Sequence, residues 1–200
     1  MRAIKRYNNR AFTLVELMIV VAIIGVLAAL AIYGVRRYMA SAKTSEAKNT
    51  VGAISRAAAA AYERENAASE ILAVGGTSTG TNHQLCNAAP APVPAAVPAG
   101  TKFQPAETDW GGADELEGWR CLKFSMTQPV YYQYHYTRGA YPGGLTGAPP
   151  ALTADGFAAT ALGDLDGDAV LSGFSRGGNV DAATRTLALA TQVYIVEEYE

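Results

Sequence analysis

Apolar and polar positions are arranged differently in three stretches of the chain, and each arrangement predicts its own kind of element. From Phe12 to Val35 the run FTLVELMIVVAIIGVLAALAIYGV is apolar on every side and carries a single charge, Glu16. As a helix it would be about 36 Å long at about 1.5 Å per residue, enough to cross the roughly 30 Å hydrocarbon of a bilayer. From Arg36 to Glu65 there is no Pro, Ala is abundant, and Ala47, Val51, Ile54, Ala58 and Ala61 or Tyr62 recur at steps of four and three. Lys43, Glu46, Lys48, Arg56, Glu63 and Arg64 fall mostly elsewhere. This pattern predicts that the helix continues beyond the span as an amphipathic half, its apolar stripe packed on a sheet, and that it stops before Gly75 and Gly76 after roughly 55 to 60 residues in all.

The third stretch begins at the GGTSTGTNH run. It continues through Cys86 into AAPAPVPAAVPA, Ala88 to Ala99, which predicts an extended, polyproline-like surface connector or docking segment. From Trp119 the runs WRCLKFSM and VYYQYHYT are rich in aromatic and β-branched residues and are separated by Thr127, Gln128 and Pro129, as in a strand pair. Gly156 to Leu162, Ala169 to Ser175 and Ala190 to Glu197 are further strand candidates with Gly-rich turns between them. Five strands suffice for a small antiparallel sheet against the helix, so the predicted class is α+β. Tyr131, Tyr132, Tyr134 and Tyr136 alternate across their strand, which predicts that some of them face outward.

Charge adds a direction. The whole chain of 200 residues carries 16 Lys and Arg against 18 Asp and Glu, a net −2 that argues against a dedicated nucleic-acid ligand. Arg2, Lys5, Arg6 and Arg10 all precede the apolar run, and without residues 1–11 the balance is 12 against 18, or −6. The positive-inside rule then leaves the N-terminus cytoplasmic and everything after the span outside. An ordinary secretory signal, cut near Ala29 or Ala31, would explain the basic start, but its apolar core runs to roughly 7 to 15 residues and this one is longer. It also carries an acid. A carboxylate inside a span costs on the order of 3 kcal/mol and needs a partner. A cut between Ala11 and Phe12 would create one, because the new α-amino group of Phe12 can meet Glu16 of its own chain or of a neighbour.

These residues carry a family resemblance. FTLVELMIVVAIIGVLAALAI, Phe12 to Ile32, with the basic leader before it, resembles the class III signal segment of type IV pilins and type II secretion pseudopilins. The resemblance implies a prepilin whose leader is removed by an inner-membrane prepilin peptidase between Ala11 and Phe12, with methylation of the Phe12 amine. It implies that Glu16 guides the subunit into a filament of itself and other pilin subunits, with pilus or secretion machinery as further partners. The expected location is a single pass of the inner membrane with a periplasmic head, then a surface or periplasmic filament, in a Gram-negative bacterium. Two positions depart from the family pattern: Ala11 stands where Gly usually precedes the cut, and Tyr33 and Gly34 stand where a Pro is usual, while Gly25 is kept.

The resulting division is residues 1–11 as leader, 12–35 as transmembrane and assembly half, 36–72 as amphipathic half, 73–118 as connecting region and 119–200 as sheet region of a pilin-like head. A type IV pilus subunit, serving twitching motility, adhesion or DNA uptake, is the leading reading because the head is larger and more loop-rich than a compact major pseudopilin. A pseudopilin is the alternative. A membrane-anchored binding module or enzyme is the third class, and no GxSxG, GxxxxGK[ST] or HExxH supports catalysis.

Two further sites are expected in the head. Cys86 and Cys121 are the only cysteines and lie on the oxidising side of the membrane, so a disulfide closing 36 residues is the simplest use. In GDLDGDAVLSGFS, Asp164, Asp166 and Asp168 have the alternate spacing of a looped Ca²⁺ site, with Ser172 as a further oxygen. Ala169 and Ser175 occupy positions where an EF-hand has Gly and a bidentate Glu, so an acidic turn without metal is the competing reading. The run also resembles the GDLDGD turn near the C-terminal strands of some pilin-like proteins.

Overall fold

The computed structural model describes residues 12–64, 74–76, 83–112 and 114–200. The leader with Ala11, and the predicted last stretch of helix over 65–72, lie outside the described residues. Helix α1 runs Leu14–Glu63 and contributes to two compact units, one ending at Met39 and one starting at Ala40. The first unit is apolar helix whose large side chains from Leu14 to Met39 are all exposed, long and apolar enough to cross a membrane.

The second unit is the head. Its part of α1 buries Thr44, Ala47, Thr50, Val51, Ile54, Ser55, Ala58, Ala61 and Tyr62, the stripe that the three-and-four periodicity predicts. Most of these side chains are small, so the helix can lie close over large partners. Those partners come from a five-stranded antiparallel sheet: β1 Gln133–Arg138, β2 Gly156–Gly163, β3 Ser172–Val180, β4 Leu187–Leu189 and β5 Tyr194–Val196. The order is β1-β2-β3, with β4 pairing the end of β3 and β5 its beginning.

The tyrosine run sorts by parity. Tyr132, Tyr134 and Tyr136 are all 0% exposed on the face toward the helix, and of the four tyrosines only Tyr131, out of phase with them, is on the other face, where it is half-buried. Tyr132, just before β1, meets Phe174 of β3 edge-on at 5.6 Å across the face of β2, and Tyr136 of β1 lies 5.7 Å from Phe157 of the neighbouring β2. Gly163 is required beneath this layer, because a β-carbon there would meet the Tyr132 ring.

Two expectations fail for one reason, that tertiary packing claims residues whose local pattern reads otherwise. WRCLKFSM is not a strand: Gly118–Leu122 form the short helix α2. Gly118 at φ 52 turns the chain against Ala89, where a side chain would not fit, and Trp119 packs into a knot with Trp110 and Phe124 at ring distances of 5.0 and 5.9 Å. Aromatics favour strands only when a sheet surface receives them, and here the knot does. The Pro-rich segment is not purely a surface connector either. Ala89 N–H donates to Tyr136 O, and Val93 and Tyr134 exchange hydrogen bonds of 2.7 and 2.8 Å, so the segment covers the free edge of β1. Residues that cannot continue a ladder thereby close the edge against further strand pairing.

Candidate functional site

Thr13 and Glu16 form a capping box at the head of α1. Thr13 N–H and Thr13 Oγ1 each donate to Glu16 Oε2 at 2.9 Å, and Glu16 N–H donates to Thr13 Oγ1 at 3.2 Å. The T-x-x-E spacing is the sequence signature of this motif, missed beneath the stronger signal of the apolar run. Its consequence is chemical. The acid of the apolar segment is given two donors by its own chain, which lowers the cost of carrying it. Phe12, the predicted mature N-terminus, is 86% exposed immediately before this cap.

Further along α1, two side chains tie the helix to the sheet. Glu46 Oε1 accepts the Tyr131 N–H at 3.0 Å and the Tyr134 hydroxyl at 3.3 Å, and Lys48 forms an ion pair with Glu198 of the C-terminal tail. At the far end Tyr62 donates to Arg185 O and Arg64 to Cys121 O. Burial pushes the hydroxyls of Tyr132, Tyr134 and Tyr136 up from their ordinary range, so all three remain protonated. Sequence reasoning did not find these ties, since the partners are far apart in the chain. Cys86 and Cys121 are joined as a disulfide, with Cα atoms 5.8 Å apart.

Asp164, Asp166 and Asp168 converge on the turn between β2 and β3, with ligand oxygens within 4.8 Å of one another. Asp164 is buried and its two oxygens accept the N–H groups of Gly167 and Ala169; Asp166 and Asp168 are exposed. Ala169 adopts φ 72, so the left-handed conformation that an EF-hand assigns to Gly is reached here by Ala. Ser172 does not face a metal ligand's task, because its buried Oγ donates to Gly163 O at 3.1 Å. Glu200 feels the acidic group from nearby: partial desolvation, then the charges of Asp166, Asp168, Glu197 and Asp164, push its carboxyl up from the usual glutamate range. The three aspartates are hard oxygen donors of the kind Ca²⁺ takes, and carbonyls or water would complete its six to eight ligands.

A cavity of about 360 Å³ opens between Tyr62, His83, Arg138, Asp155, Asp181 and Arg185. Its charged groups largely answer one another: Arg138 binds Asp155 at 3.1 Å and Asn87 at 3.2 Å, while Asp181 accepts the N–H groups of Ala183 and Thr184. His83 lies in a turn against Tyr62, and His135 lies in β1 with its ring against Ala89 O, so neither histidine addresses a nucleophile in the described residues.

Residues 6–32 match the prokaryotic N-terminal methylation motif. The type IV major pilin protein PilA of Myxococcus xanthus is 55% identical over 53 residues, which cover 26% of this chain and 24% of that protein. The fimbrial protein EcpC of Eikenella corrodens is 52% identical over 44 residues, covering 22% of this chain and 29% of that protein. The similarity thus spans under a third of the length of either relative. No solved structure matches the chain.

Proposed function

We propose, from the type IV pilin family that the methylation motif and both relatives support, that this chain is a structural subunit of a type IV pilus. The observation that carries the reading is an exposed apolar helix headed by Phe12 and Glu16, continuous in α1 with the helix of a folded, disulfide-bonded head. Such a helix has no stable place in water. It rests in the bilayer first and is then buried among the helices of other copies. The prepilin peptidase would cut between Ala11 and Phe12 on the cytoplasmic side and the Phe12 amine would be methylated. A pseudopilin of a secretion system shares every one of these features, and the location of the filament separates the two.

Mass spectrometry of sheared surface filaments is the test. The expected N-terminal peptide begins at N-methylated Phe12. A mature chain that begins beyond Ala31, or one that keeps residues 1–11 in the membrane, would overturn the reading, and a processed chain confined to a periplasmic filament would make it a pseudopilin.

Ca²⁺ at the β2–β3 turn is a second, subordinate proposal, supported by the convergence of Asp164, Asp166 and Asp168 with Glu200 close by. Three carboxylates with oxygens within 4.8 Å of one another repel, and a bound divalent cation would relieve that repulsion. Millimolar Ca²⁺ at pH 7 is therefore expected to raise the melting temperature of the purified processed chain, and Asp166→Asn with Asp168→Asn to abolish the shift. An equal shift in that double variant would refute the site.

A further inference from the structure

Lys43 comes from α1 and Lys102 from the irregular segment after Gly100, yet both ammonium groups lie on the ring of Tyr131, at 4.6 and 4.7 Å from its centroid. Lys48, Arg120 and Arg138 each have a carboxylate within ion-pair distance, whereas neither Lys43 nor Lys102 does among the described residues. The carboxylate on their side, Glu46, is committed to Tyr131 N–H and Tyr134 Oη. Two cations thus converge on one half-buried ring, and Lys102 is exposed.

The opposite charge lies at the same end of the head. Gly100 N–H donates to Asp164 O at 2.8 Å, which sets the acidic turn beside the segment that carries Lys102. Asp164, Asp166 and Asp168 converge there, Glu200 feels their charge and that of Glu197, and none of the five has an ion pair to a cation among the described residues. A net charge of −6 on the processed chain makes copies repel, so a contact between heads requires local pairing of opposite sign. The two patches adjoin but do not share residues, so the lysines of one copy can face the carboxylates of the next, a heterologous contact of the kind that builds an open helical polymer.

We propose that the Lys43–Tyr131–Lys102 patch of one subunit docks the acidic turn and tail of a second copy of this chain. The inference rests on the filament reading and names the head contact within it. An anionic lipid surface is the competing acceptor for two lysines, but it would also meet those five carboxylates, and the repulsion favours a second copy. Ca²⁺ bound at the turn would leave that end still at about −3, acidic enough to be docked.

The test is zero-length carbodiimide coupling of sheared filaments grown from mixed ¹⁴N and ¹⁵N chains. Hybrid isopeptides are expected from Lys43 or Lys102 of one copy to Asp166, Asp168, Glu197 or Glu200 of another. Lys43→Glu with Lys102→Glu is expected to lower filament yield about tenfold or more at unchanged membrane level, since like charges then face each other. Adding Asp166→Lys and Asp168→Lys to that variant should restore the yield. Filaments without hybrid isopeptides, or a reversal that is not restored by the second pair, would overturn the docking while leaving the filament reading intact. A fall in membrane level instead of filament yield would assign the lysines to lipid. Absence of this chain from wild-type filaments would overturn both readings.

Discussion

Cys121→Ser is expected to lower the stability of the head by about 4 kcal/mol on the chain-entropy model for a loop of this size. The loop is long, the cysteines standing 35 positions apart, and it contains the segment that covers the edge of β1 and two tryptophans of the knot, Trp110 and Trp119. Few regular hydrogen bonds hold that region; it is attached by isolated bridges at Asn87, Val93, Ala99 and Phe103. A stretch with so little ladder depends on a covalent tie at its ends, because its unfolded form would otherwise have a large freedom to regain. Domains of this size are stable by roughly 5 to 15 kcal/mol, so the loss removes a large share of the total. Cys86→Ser should match it, and the double variant should add almost nothing, since either change opens the same loop. Denaturant midpoints of the purified processed chain measure this, and a midpoint unchanged by either substitution would show that the loop is held by its packing alone.

The stripe of α1 was legible in the sequence because burial on a helix leaves a period, and every residue of the predicted stripe is buried on the sheet. The apolar span was legible for a cruder reason, its length. Strands β1, β2 and β3 were found where alternation or Gly-bounded apolar runs announced them, but β4 was not, since LAL is too short to carry a pattern. Trp119 misled because its neighbours look like a strand while its own partners, Trp110 and Phe124, stand on either side in the chain. At the candidate sites, local motifs were readable and assembled ones were not. Asp164, Asp166 and Asp168 declare themselves by spacing, whereas Lys43, Lys102 and Tyr131 meet only when α1, an irregular segment and the start of the sheet come together. Ala169 sits between the two cases. Its identity argued against a metal loop, yet the backbone holds it at φ 72, so the side chain was a poor guide to the conformation.

Glu16→Ala is expected to leave the chain inserted and its head folded while reducing its entry into filaments severely. Two roles for the carboxylate compete, and the capping box separates them. As a cap, Glu16 accepts Thr13 N–H and Oγ1 and fixes the first turn of α1; as a counter-ion, it would neutralise the Phe12 amine of an adjacent copy and set the axial register of the incoming helix. Apolar contacts between helices leave that register loose, because one Val or Leu slides past another at little cost, whereas a charge pair in an apolar filament core has one favourable position. Gln is as good a capping-box residue as Glu but carries no charge. Glu16→Gln should therefore assemble as poorly as Glu16→Ala if charge sets the register, and nearly as well as wild type if the cap does. Thr13→Val supplies the converse, losing the two bonds of Thr13 Oγ1 while keeping the charge, and should cost only about 1 kcal/mol of helix-end stability. The readout is the ratio of filament to membrane-bound chain in strains with a single copy. Normal filament yield from Glu16→Gln would remove the counter-ion role, and normal yield from Glu16→Ala would remove both.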